Sequence, residues 1–179
     1  IARRIAGASC PLGPPPDEMR WIERNFFSTL FLSVTGLLVG PSRYMPLYAM
    51  VNQGMRAWVT ACDNILDDEY KEIFPFTSAG AGRRMRSVLT LLLADRVVVE
   101  YALDRYGDPD LLRQVGRVSL SAMLSSAIQE SEEELRPAGV APPERILADV
   151  HRRKTGDLFA APLALPSALE HVPGVRARQ

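Results

Sequence analysis

The stretch PLYAMVNQGMRAWVTACDNILDDEYKEI, residues 46–73, decides the fold. Its apolar positions are Leu47, Met50, Val51, Met55, Trp58, Val59, Cys62, Leu66 and Ile73. Steps of three and four residues are the signature of one face of an α-helix. Pro46 suits a first helical turn, and Pro75 stops the helix beyond Ile73. The same reading extends outward. Asp17 is placed to cap a helix from Glu18 to Val39, which Gly40-Pro41-Ser42 ends. Ser78 to Gly82 reads as a small loop. Arg83 to Tyr106 is the next helix, with Gly107 at its end. Asp108-Pro109 restarts helix as far as Leu135, before Arg136-Pro137. Pro142-Pro143 opens a last helical segment, which Pro162 and Pro166 are expected to kink or end. Residues 1–17 read as an N-terminal loop, because Gly13 and Pro14-Pro15-Pro16 oppose helix. No run alternates with strand period for more than a few residues, and Val97-Val98-Val99 lies inside a helical pattern. The fold class is all-α.

Composition sets outer limits. Hydrophobic residues make up 47% and charged residues 23% of the 179, a globular balance. The formal net charge is zero, so no broad basic surface for nucleic acid is expected. Cys10 and Cys62 are the only cysteines, which gives neither a disulfide framework nor zinc spacing. A cytoplasmic setting is the default expectation. Phe26 to Val39 is apolar but interrupted by Ser28, Thr29, Ser33 and Thr35. It is shorter than the ~20 residues of a membrane span. Neither a signal peptide nor a transmembrane helix is expected.

Chemistry concentrates in two places. Asp63-Asn64-Ile65-Leu66-Asp67-Asp68-Glu69 puts a carboxylate cluster near the end of the central helix. Residues four apart share a helix face, so Asp63 is expected beside Asp67, and Asn64 beside Asp68. Such oxygens suit Mg²⁺, which takes few carboxylates and completes its shell with water and substrate phosphate. The competing reading is a solvated acidic helix end. Far downstream, Lys154-Thr155-Gly156-Asp157-Leu158-Phe159 offers a point cation beside small residues and an apolar turn. For Lys154 the alternative is a surface lysine beside Arg152 and Arg153. For Thr155 it is local helix packing.

On these residues the chain resembles the trans-prenyl diphosphate synthases, the polyprenyl synthetase family of class I isoprenoid synthases. Cys62 to Asp68 is similar to that family's first aspartate-rich segment, His-Asp-Asp-Ile-Leu-Asp-Asp in typical members. Lys154 to Phe159 is similar to its Lys-Thr-Gly-x-Leu-Phe segment. The resemblance implies long helices around a central cavity. It implies that Asp63, Asn64, Asp67 and Asp68 are metal ligands for Mg²⁺, with Asn64 standing where the family carries its second aspartate. It implies that Lys154 contacts an allylic prenyl diphosphate, with Thr155 close by. Gln129 is similar to the glutamine of the family's Gly-Gln segment. Arg83 and Arg84, with Arg86, open a helix after a glycine loop and are candidate diphosphate contacts; a helix-start surface patch is the other reading.

The same resemblance carries departures. The family's Gly-Lys-x-x-Arg-Pro segment, which holds isopentenyl diphosphate, corresponds to Pro41-Ser42-Arg43-Tyr44-Met45-Pro46. Ser42 and Met45 replace its two cations, and only Arg43 supplies charge. The family's second aspartate-rich motif lies downstream of the Lys-Thr-Gly helix and is not among these residues. The expectation is therefore that residues 18–179 form the N-terminal part of an isoprenoid synthase domain, an incomplete bundle.

The function expected is an Mg²⁺-dependent isoprenoid synthase that extends allylic prenyl diphosphates by prenyl transfer. Asp63, Asp67 and Lys154 would carry catalysis. One alternative is a terpene cyclase that uses an allylic diphosphate without isopentenyl diphosphate. Another is a non-catalytic subunit paired with an active synthase, so a homodimer and a heteromer both stay open as partners.

Overall fold

The computed structural model describes Ala2, Arg4 and residues 12–14, 25–77, 82–135 and 143–170. These residues are mainly helical, with no strand among them; Leu12 and Phe76 make a single antiparallel bridge. The helices are α1 (Phe26–Val39), α2 (Met45–Leu66), α3 (Arg83–Tyr106) and α4 (Pro109–Leu135). A last helical stretch follows: a short α5 (Pro143–Arg145), a π-helical segment (Ile146–Asp157) and α6 (Leu158–Leu169). No helix among the described residues is long and apolar enough to cross a membrane.

Local chemistry accounts for most boundaries. Pro46 sits in the first turn of α2, where its missing N–H leaves no bond unmade. Gly107 ends α3 with φ +60°, a left-handed conformation that glycine adopts without strain. The Asp108 carboxylate then accepts the backbone N–H groups of Asp110 and Leu111, at 2.9 and 3.1 Å, and so caps α4. In α1 the hydroxyls of Thr29, Ser33 and Thr35 donate to the carbonyls four residues back. That satisfies polar groups within an otherwise apolar helix.

Two boundaries depart from the sequence expectation. Helix α2 stops at Leu66 rather than near Ile73. Asp67 caps it, and Asp68 takes φ +53°. Acidic side chains oppose the negative end of the helix dipole, so Asp67-Asp68-Glu69 is a poor continuation. The buried Asn64 side chain also draws Lys71 back against α2, which the chain can do only by leaving the helix. Conversely, Pro162 and Pro166 do not end α6, which runs through both. Burial of Ala161, Leu165 and Pro166 holds that helix against the core despite two missing N–H donors.

Helices α2 and α3 make the most extensive contact and run antiparallel. Gly54 faces Val98 near the middle, and Asp68 meets Arg84 at one end. The π-helical segment and α6 both pack on α4, and α6 also reaches α1 and α2. The main core joins four helices: Leu47, Tyr48, Val51 and Met55 from α2, Val98 and Ala102 from α3, Leu111 and Val115 from α4, and Ala161 and Leu165 from α6. Burying each of the larger side chains contributes about 1.5–3 kcal/mol. A smaller cluster, centred on Phe76, Leu93 and Val97, joins the segment after α2 to the other face of α3. There Gly13 donates its N–H to the Pro75 carbonyl at 2.7 Å.

Candidate functional site

A cavity of about 860 Å³ opens where α2, α3, α4 and the last helical stretch meet. Helix α2 gives it Trp58, Val59, Cys62, Asp63 and Leu66. Helix α3 gives Asp95, and α4 gives Leu120, Met123 and Leu124 among others. From the last stretch come Thr155, Leu158 and Phe159. The wall is mostly apolar, with two carboxylates. Among the described residues it carries no lysine, arginine or histidine. A concave, apolar space of this size with a few polar groups is what a small hydrophobic molecule occupies.

Residues from both motifs reach this one space. Cys62, Asp63 and Leu66 come from the acidic segment, and Thr155, Leu158 and Phe159 from the segment some ninety residues later. Asp63 is half-buried on the wall. Asp67 is exposed one turn on, its backbone N–H donating to the Asp63 carbonyl at 2.8 Å. Lys71 lies in the field of both. Its ammonium is held above its ordinary value first by the hydrogen bond and charge of Glu69, 2.9 Å away, with Asp63 and Asp67 adding to the effect. Burial, and then the neighbouring Asp63 charge, push the Cys62 thiol up, so it stays protonated at neutral pH.

The remaining candidates are placed differently. Asn64 is 4% exposed, and both ends of its amide are used by the backbone of Lys71. It accepts the Lys71 N–H at 2.8 Å and donates to the Lys71 carbonyl at 3.0 Å. The structure thus gives Asn64, expected as a metal ligand, the task of shaping the turn after α2. Asp68 is not on a helix and does not stack over Asn64. It reaches Arg84 at 3.1 Å, and both side chains are well exposed. Arg83 and Arg84 are thus near the acidic end of α2, both exposed, and neither lines the cavity.

Arg43 is not brought to this site. It precedes the start of α2 while Asp63 is near its end, and 20 residues of helix span roughly 30 Å. Its guanidinium lies 4.7 Å from the centre of the Tyr44 ring and hydrogen-bonds the Tyr44 hydroxyl. Ser42, the residue in place of a family cation, accepts the Tyr44 N–H at 3.0 Å and donates to Glu170. The side chains of Lys154 and Gln129 lie outside the described residues.

Asp95 is the residue the motif reading missed. In sequence it sits among Leu91, Leu92, Leu93 and Ala94, and its only signal is an acid on a helix that must pack on both sides.

Among the described residues no three His, Cys, Asp or Glu side chains converge on a metal position. Asp63 and Asp67 are one turn apart, and Mg²⁺ takes only one or two carboxylates from a protein, completing its shell with water and phosphate oxygens. Compared with known proteins, the chain matches no family model, no curated protein and no solved structure.

Proposed function

We propose that the chain is an Mg²⁺-dependent isoprenoid synthase acting on allylic prenyl diphosphates, with prenyl transfer as its reaction. One observation carries this reading: the acidic segment and the Lys-Thr-Gly segment, distant in sequence, line one apolar cavity. Apolar walls from Trp58, Leu120, Met123, Leu124 and Phe159 suit a prenyl chain. Asp63 and Asp67 would hold the metal. When bound, Mg²⁺ supplies charge neutralisation on the diphosphate leaving group. Lys154 would add a cation to the same diphosphate from the neighbouring residue to Thr155, and Arg84 another from the start of α3. The cavity wall would keep water from the hydrocarbon while the carbon–oxygen bond breaks.

A second reading, cyclisation without isopentenyl diphosphate, is favoured by the surroundings of Ser42 and Arg43. The only cation of that segment stands at the opposite end of α2 from Asp63, on Tyr44. A second diphosphate beside the first has no support from it.

The test is diphosphate release from a series of allylic diphosphates with Mg²⁺, with products extracted in the presence and absence of isopentenyl diphosphate. Asp63→Ala and Asp67→Ala are each expected to lower release roughly hundredfold or more, the scale seen when a charge-stabilising group is removed from a reacting centre. Longer diphosphates as products indicate transfer, and hydrocarbons or alcohols indicate cyclisation. Wild-type rates in both variants would sink the metal assignment and this function with it.

A further inference from the structure

Asp95 has no place in the chemistry above. It is exposed on α3 and faces a wall otherwise lined, apart from Asp63, Cys62 and Thr155, by carbon. The described residues give it no ion pair and no hydrogen bond; its neighbour Arg96 pairs instead with Glu100, at 3.9 Å. The antiparallel register of α2 and α3 sets Asp95 level with Trp58, about one and a half helical turns, or roughly 8 Å along the axis, from Asp63. Trp58 lines the same cavity. A carboxylate and an indole, surrounded by apolar side chains, recognise one kind of ligand: a hydrocarbon body carrying a positive charge. An anion there would meet repulsion with no cation on the described wall to offset it.

We propose that Asp95, with Trp58, makes this end of the cavity a site for a hydrophobic cation. This deepens the functional reading and rests on it for the identity of the natural ligand. When the allylic carbon–oxygen bond breaks, both electrons leave with the diphosphate and the positive charge stays on the hydrocarbon. That carbocation is a hydrophobic cation, and Asp95 would attract it away from the diphosphate. The same charge orients the substrate beforehand, because it repels the diphosphate toward the Asp63 end, where a metal would neutralise it.

The site can be probed without turnover. The whole chain is titrated with dodecyltrimethylammonium below its micelle concentration, and with dodecanol as the uncharged counterpart, by calorimetry. Wild type is expected to bind the ammonium about tenfold more tightly than Asp95→Asn. Both should bind dodecanol alike, which also reports that the variant retains its cavity. Asp95→Glu, which keeps the charge, should retain the preference, so an ill-folded Asn variant does not end the test. Equal ammonium binding by wild type and a folded Asp95→Asn overturns the proposal, as does a loss produced only by Asp63→Asn. Diphosphate release from an allylic diphosphate is followed in the same proteins. No release from wild type removes the functional reading and leaves the cation site on its binding data. Release with unaltered ammonium binding removes Asp95 alone.

Discussion

Asn64 and Asp63 are adjacent in sequence and have opposite fates. Asp63 looks onto the cavity, while Asn64 is buried and holds Lys71 through both ends of its amide. The sequence resemblance makes Asn64→Asp a restoration, expected to keep or raise turnover. The structure adds a separate cost in stability. A carboxylate cannot donate to the Lys71 carbonyl, and it would set a buried charge against that oxygen. Asn64→Asp should therefore destabilise the protein by about 1–3 kcal/mol, visible as a lower midpoint in urea denaturation at neutral pH. An unchanged midpoint would mean the amide's two bonds contribute nothing. Asp63 was legible because it lies in a motif. The role of Asn64 was not, because its partner is main chain seven residues away and carries no side-chain signature. Asp95 escaped for a related reason: a single acid in an amphipathic helix reads as a solvent position until another helix places a cavity beside it.

At the level of elements, the closest approach is between α2 and α3. A Cβ added at Gly54 would lie 2.7 Å from Val98 Cγ2, a buried and stiff side chain. Replacing glycine by alanine within a helix ordinarily gains up to about 1 kcal/mol. Overpacking a core contact costs about 1–3 kcal/mol. Because Val98 is buried and β-branched, the second effect should win, and Gly54→Ala should lower thermal stability. Adding Val98→Ala should recover part of that loss, which a double-mutant cycle would measure. A stabilised single variant would show that the two helices can separate freely. The helix starts at Pro46 and Asp108-Pro109 were legible from local chemistry, and so was the stop at Gly107; the start expected at Asp17-Glu18 lies outside the described residues. The end of α2 was not, because Ile73 fits the helical period by position alone. Nothing in residues 146–157 announces a π-helical winding, and the passage of α6 through Pro162 and Pro166 depends on a core that a linear pattern does not display.

Across the whole molecule, the start of α2 and the loop before it are tied to the end of α6. Tyr48, 3% exposed, donates its hydroxyl to Glu170 at 2.7 Å, and Ser42 donates to the same oxygen. Burial, and then the hydrogen bond and charge of Glu170, push the Tyr48 phenol well above the ordinary tyrosine value of about 10. The sign follows from the direction. The folded state holds this proton more tightly than the unfolded chain does. The tie therefore contributes fully below about pH 10 and is lost progressively as pH rises above it. Tyr48→Phe should cost about 1.5–3 kcal/mol near pH 8. The gap between variant and wild type should then close at higher pH, as followed by chemical denaturation. A gap that stays constant through about pH 11 would exclude a proton on Tyr48 as its source.

The pairing of α2 with α3 has one more consequence, for the order in which the chain assembles and how it opens. These two helices are consecutive, so their contact closes a short stretch of chain, whereas α6 must return across most of the sequence to reach α1 and α2. Local contacts form early, and those of long sequence separation form late. The hairpin carrying Asp63 and Asp95 should exist before the wall bearing Thr155, Leu158 and Phe159 docks against it. The late wall is then also the first to leave under native conditions. Amide exchange at 158–169 should run ahead of that in α2 and α3, and a saturating hydrophobic ligand should slow it. Detachment of the last helix would therefore widen a cavity that already opens to solvent, and the side bearing Thr155, Leu158 and Phe159 would yield most readily to a bulky guest.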